Sequence, residues 1–249
     1  MTDAMRGQRE SRSPRSADAP EVIVALDFDR AEDALALVDL LPQETWCKVG
    51  LELFTRAGPP VVESLVAGGH PVFLDLKLHD IPNTVAGAVR AAADAGVRLL
   101  TVHAAGGEPM LRAAAEAVRG AGSSARTRLL AITVLTSVDD ASLAAVMGPG
   151  SLVEDAVGRL AGLARESGVD GVVASVAECR AVKLACGDDF LVVTPGIRLA
   201  GEEAHDQKRV ATPALARAAG ADFVVVGRTI TRADNPREAL RSVRMELET

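Results

Sequence analysis

Tyrosine is absent from this 249-residue chain, tryptophan occurs once, and aromatic residues together make up 2% of it. An interior built on aromatic packing is therefore excluded, and the core has to come from Ala, Val, Leu and Ile. Cysteine is scarce too: Cys47, Cys179 and Cys186 are odd in number and lack zinc-type spacing. That excludes a disulfide framework and fits a reduced, cytoplasmic protein. No apolar run approaches the ~18 residues of a membrane span. Basic residues are outnumbered, 27 against 34 acidic, for a net charge of −7 and a pI near 5.2. This balance argues against a nucleic-acid partner but leaves room for a local basic pocket that takes a small anion.

What is present is aliphatic and rhythmic. Hydrophobic residues make up 48% of the chain, ample for a full core, and the length suits one large α/β domain or two small ones. Residues 1–20 are rich in Arg, Ser, Asp and Ala without apolar periodicity; they read as a disordered tail. They have no apolar h-region for a secretory signal. From residue 21 on, short apolar runs alternate with helical spacing. Strands are expected over residues 21–27, 45–50, 71–77, 98–103, 128–135, 169–174, 190–194 and 221–226. Helices are expected over 31–41, 58–67, 82–95, 108–118, 152–166, 177–185 and 236–247. Near-continuous apolar strands indicate a parallel sheet covered on both faces, and the intervening helices supply the crossovers. Eight such units, with no linker composition between them, predict a single-domain (β/α)₈ TIM barrel over residues 21–249. A doubly wound open sheet is the alternative.

In a barrel the chemistry gathers where strand carboxyl ends meet. The polar residues there are Asp27, Lys48, Asp75, Lys77, His103, Thr136, Ser137, Arg198 and Arg228. The densest stretch is residues 73–84 (FLDLKLHDIPNT). Asp75 and Lys77 are two apart, so an extended strand projects both from one face, with Leu74, Leu76 and Leu78 on the other. Asp80 follows, and Pro82 reads as the first residue of a helix. Converging lysines and carboxylates form an alternating charge array that keeps each lysine protonated and makes it a proton donor. A buried ion-pair network that merely holds the barrel is the bland alternative, but such networks are weak sources of stability. Pro195-Gly196-Ile197-Arg198 and Val226-Gly227-Arg228 place Gly–Arg chemistry on the last two loops, where barrels often bind phosphate. The long loop 199–210, with Asp206 and Gln207, reads as a mobile lid. His103 and His205 have no evident metal partner set, His79 reads as a backbone-bonding residue with the pocket rim as its alternative, His70 reads as a surface-loop residue, and Cys47 points away from Lys48 into the core.

These motifs, in this order, resemble the bacterial type of orotidine 5′-phosphate decarboxylase. The resemblance runs from about residue 22 to the end. It rests on VALD (24–27), KVG (48–50), FLDLKLHDIPNT (73–84), HAAGG (103–107), LTS (135–137), TPGIR (194–198), DQKR (206–209) and VGRTIT (226–231). It implies conversion of orotidine 5′-monophosphate to uridine 5′-monophosphate and carbon dioxide in pyrimidine synthesis, with no metal or organic cofactor. It further implies Lys77 as proton donor to ring carbon six, with Asp75 beside the departing carboxylate. Lys48 and Asp80 complete the charge network, and Asp80, Ile81 and Thr84 reach in from the partner subunit of a homodimer. Asp27 and Lys48 would hold the ribose hydroxyls, and Thr136 or Ser137 the pyrimidine edge. Arg198, Gln207, Gly227 and Arg228 would grip the phosphate. An Asp-x-Lys-x-x-Asp pattern by itself is shared with related phosphate-sugar barrels. A metal-dependent sugar-phosphate lyase or epimerase, a Schiff-base aldolase and a non-catalytic nucleotide-binding module therefore stand as alternatives.

Overall fold

The computed structural model describes residues 19–120, 127–199 and 211–248. The expected tail lies outside the described residues as far as residue 18, as do the lid residues Asp206 and Gln207 and also His205. Elements follow in the order β1 (Glu21–Ala25), α1 (Ala31–Asp39), β2 (Trp46–Gly50), α2 (Leu51–Ala57), α3 (Pro59–Ala67), β3 (Val72–Leu78) and α4 (Pro82–Asp94). Then come β4 (Leu99–His103), α5 (Gly107–Gly120), β5 (Arg128–Ile132), α6 (Asp140–Met147), α7 (Val153–Glu166), β6 (Gly171–Val173) and α8 (Val176–Cys186). The chain continues with β7 (Leu191–Thr194), α9 (Pro213–Ala218), β8 (Phe223–Val226), α10 (Arg228–Thr231) and α11 (Pro236–Glu248). All eight strands are parallel and close on themselves, β1 pairing with both β2 and β8. The fold is the expected (β/α)₈ barrel.

Alternation along each strand separates two cores. Ile23, Trp46, Phe73, Leu99, Leu130, Val193 and Phe223 face inward and fill the barrel. Their neighbours Val22, Cys47, Leu74, Leu100, Leu129, Val192 and Val224 face outward, against helix residues such as Val89, Leu111 and Val182. Three of the six aromatics lie inside, where Trp46 and Phe223 meet edge to face at 5.2 Å, and Phe28, Phe54 and Phe190 pack in the outer core. Crowding fixes one glycine: a Cβ on Gly171 would stand 2.3 Å from the Leu191 carbonyl oxygen.

Strands are shorter at their carboxyl ends than their apolar runs. β1 stops at Ala25 although Leu26 is fully buried, and β5 stops at Ile132 although Thr133 and Val134 are buried. Burial continues past the assigned strand ends, and at Leu26 one interstrand bond goes with it, its N–H donating to the Lys48 carbonyl at 3.0 Å. α2, α6, α9 and α10 were not expected from sequence. α6 starts on Asp139, whose carboxylate accepts the Ser142 N–H. It buries Leu143 and exposes Val146 and Met147, so it carries no clean apolar stripe.

Candidate active site

The carboxyl ends of the strands surround a pocket of about 680 Å³. That lies within the roughly 300–1,000 Å³ usual for small-molecule sites. Asp27, Lys48, Asp75, Lys77, Thr136, Arg198, Gly227 and Arg228 all line it. Ser137 is exposed and is not on the lining. Asp80, Ile81 and Thr84 are also exposed and stand outside the pocket, and the Asp80 carboxylate accepts the Ile81 N–H at 2.6 Å.

Two ion pairs occupy one side. The Lys48 ammonium, on the inward face of β2, donates to Asp27 Oδ1 at 3.0 Å. Gly50 leaves the space this needs, since a Cβ there would lie 3.0 Å from Lys48 Nζ. On β3, Lys77 Nζ donates to Asp75 Oδ2 at 2.8 Å. Both side chains of that pair are largely buried, at 30% and 14% exposure. Their convergence was expected from an extended strand, and here the structure corrects the expectation. Lys77 has φ +52°, in the left-handed region, and the β3–β4 register shifts between Leu74 and Leu78. A non-glycine residue there costs roughly 1–2 kcal/mol. Thr101 of β4, fully buried, accepts the Lys77 backbone N–H at 2.8 Å and donates its hydroxyl to Asp75 Oδ1 at 3.0 Å.

An ammonium has three N–H donors. Among the described residues Lys77 and Lys48 each use one, so both keep donors for a bound molecule. The opposite side of the pocket is cationic. Gly196, at φ +81°, turns the chain after β7, and Arg198 is then pinned by its N–H to the Ala211 carbonyl at 3.0 Å. Arg198 is buried, and its Nε has no hydrogen-bond partner among the described residues. A buried guanidinium N–H without a partner is a donor whose desolvation an anion would offset. Gly227 and Arg228 follow on the next loop.

The remaining candidates sort plainly. His79 is exposed and stacks on His103 at 5.2 Å. Burial first, then the positive charges of His79 and Lys77, push the His103 pKa below its ordinary value. His70 Nδ1 lies 3.1 Å from the Thr45 carbonyl oxygen, a backbone role. The three thiols are buried and unpaired, and burial pushes Cys47 and Cys179 up to about 12, so neither is a nucleophile at neutral pH. Sequence reasoning missed Thr101, and also Phe28, Asp29, Thr231 and Arg232 on the lining. Thr101 did carry a signal, as a polar residue inside the apolar run LLTVH, in alternation with Leu99 and His103.

The model for the orotidine 5′-phosphate decarboxylase / HUMPS family matches residues 20–243. The chain belongs to that family. A Halorhodospira halophila protein named orotidine 5′-phosphate decarboxylase is 55% identical over 229 residues, covering 92% of this chain and 96% of the relative. One of the same name from Chromobacterium violaceum is 51% identical over 243 residues, covering 97% and 94%. The crystal structure of orotidine 5′-phosphate decarboxylase from Lactobacillus acidophilus superposes with a TM-score of 0.83 at 39% identity, covering 93% of this chain and all of that one. Family membership accounts for the barrel. The left-handed lysine and its threonine partner are read from this chain's own geometry.

Proposed function

We infer that the pocket takes orotidine 5′-monophosphate and releases uridine 5′-monophosphate and carbon dioxide, as a carboxy-lyase of pyrimidine nucleotide synthesis. The observation that carries the mechanism is the Asp75–Lys77 contact, a shielded carboxylate against an ammonium with N–H donors to spare. Breaking the bond to the carboxylate leaves an electron pair on ring carbon six. A preorganised ammonium stabilises that charge and then delivers a proton to it. Lys77 is left neutral and regains its proton from solvent. Asp75 opposes the substrate carboxylate and not the neutral carbon dioxide, so it favours the transition state over the bound substrate.

The rest of the substrate follows the pocket. Asp27 and Lys48 are assigned to the ribose hydroxyls. Thr136 is assigned to the pyrimidine edge in preference to Ser137, because Thr136 is on the lining. Arg198, Gly227 and Arg228 are assigned to the phosphate, with Gln207 joining from the loop outside the described residues. Phosphate binding, remote from the bond broken, holds the ring against Lys77. The catalytic unit is the barrel from residue 21 onward. Its three unpaired thiols suit the reducing cytoplasm. Among the described residues no helix is long and apolar enough to cross a membrane.

The reading extends to a second copy of the chain. Ile81 is 67% exposed, a large apolar residue between Asp80 and Pro82, and this turn is not part of the lining of its own pocket. Asp80, Ile81 and Thr84 are proposed to complete the pocket of a partner subunit. Mixing inactive Asp80→Ala and Lys77→Ala proteins should then restore activity through hybrid sites, and no recovery after proven subunit exchange argues against sharing.

The direct test is ultraviolet absorbance of orotidine 5′-monophosphate mixed with the protein. Turnover should persist in chelator and drop at least roughly 100-fold in Lys77→Ala. Full activity in that variant rejects the mechanism, and loss with chelator points to a metal-dependent sugar-phosphate chemistry instead.

A further inference from the structure

Three buried threonine hydroxyls near the strands serve the backbone. Thr127 donates to the Val97 carbonyl, Thr133 to Val173 and Thr194 to Phe223. Thr101 differs in both of its bonds. Its oxygen accepts the N–H of Lys77, the residue whose φ is +52°, and its hydrogen goes to the Asp75 carboxylate. One hydroxyl orientation satisfies both. With the Lys77–Asp75 contact, these bonds close a ring in which Asp75 Oδ1 answers to Thr101 and Oδ2 to Lys77. The ring sits at the shift in the β3–β4 register, where regular ladder pairing is lost.

We propose that Thr101 is a positioning residue whose hydroxyl sets the placement of the Asp75 carboxylate relative to the Lys77 ammonium. The proposal rests on the reading that this pair carries the chemistry. A β-branched side chain fully buried on β4 has little rotational freedom, so its oxygen is a fixed point. Through its two bonds it fixes one carboxylate oxygen and the backbone of the strained lysine. The ribose and phosphate contacts come from other strands and do not depend on it. Loss of the hydroxyl should therefore lower kcat and leave KM alone.

The test compares Thr101→Val, nearly isosteric but without either bond, with Thr101→Ser, which keeps both, and runs Lys77→Ala beside them. Thr101→Val should lose about tenfold or more in kcat with KM within about twofold, as expected for a small misplacement of reacting groups. Thr101→Ser should hold kcat within about threefold of the parent. Thr101→Val with full kcat, a loss confined to KM, or a serine variant as impaired as the valine one overturns the role of Thr101. If the valine variant does not fold, Thr101→Cys replaces it, since a thiol matches serine in shape and bonds weakly. Cysteine impaired relative to serine supports the role, and cysteine equal to serine overturns it. Activity in Lys77→Ala is a different failure, since it removes the pair itself from the chemistry.

Discussion

The two ends of this barrel both carry buried or half-buried lysine–carboxylate contacts, and they use them in opposite ways. At the amino ends of the strands, Lys183 donates to Asp222 Oδ2 at 2.7 Å and to the carbonyls of Asp188 and Phe190 at 3.0 and 2.9 Å. All three of its N–H donors are engaged by protein. Asp222 also accepts the Val192 N–H, and Asp170 accepts that of Leu129, so each acid just before a strand ties a neighbouring strand in place. Trp46, bonded to Glu21, and Arg128, 5.5 Å over the Phe223 ring, cap that end. At the carboxyl ends, among the described residues, Lys77 and Lys48 each engage a single acceptor, and Arg198 Nε has no partner. The two ends thus differ in how fully their cations are bonded within the protein, more than in charge or burial.

The contrast can be broken most decisively at Lys183. Replacing it by alanine leaves Asp222, whose side chain is 13% exposed, without its cation. We expect a loss of about 3 kcal/mol in urea unfolding, with kcat of the folded fraction unchanged. A large kcat effect without destabilisation would erase the division between the ends. Lys77 sharpens the other side. Lys77→Gly and Lys77→Ala should both be inactive, but glycine adopts φ +52° without its Cβ penalty. The glycine variant should therefore be the more stable of the two by about 1 kcal/mol. Equal melting temperatures would mean the left-handed backbone is not strained. The smallest expected effect is at His103. Its folded pKa lies below the ordinary 6.5, through burial and then through His79 and Lys77. The unfolded chain then binds the proton first as pH falls, so this contribution to stability is complete above about 6.5 and shrinks as pH drops below it. His103→Asn should flatten that slope in unfolding midpoints measured across the range, and an unchanged slope removes the assignment.

Much of this was legible in the residues, for identifiable reasons. Apolar runs of Val, Ile and Leu located all eight strands, because a buried parallel strand has no polar face to blur its signal. The end residues of those runs read as strand because burial runs on past the strand ends, through Leu26 and Val134. The helices α2 and α6 escaped because each buries a single residue, Leu53 or Leu143, which gives no periodicity to read. At the site, a period of two brought Asp75 and Lys77 to one pocket. It could not foresee that Lys77 leaves the extended region, since that depends on the register shift against β4 and on Thr101, 24 residues away in sequence. A sequence read strand by strand has no access to a bond between strands. The family resemblance named the remaining candidate residues, and it quoted Gly50 within KVG without the reason for it, which is that this last residue of β2 clears the way for Lys48.

Position 77 meets two demands that no single amino acid serves well. The proposed chemistry asks for a long side chain ending in an ammonium, and the backbone asks for a residue with no Cβ. The conflict makes the site a poor place for gradual change: glycine suits the backbone and removes the proton donor, while arginine keeps a charge that cannot give up its proton near neutral pH. Anyone redesigning this barrel for another substrate has far more freedom at the phosphate loops. There the proposed grip is shared among Arg198, Gly227 and Arg228, and no single one has to be two things at once.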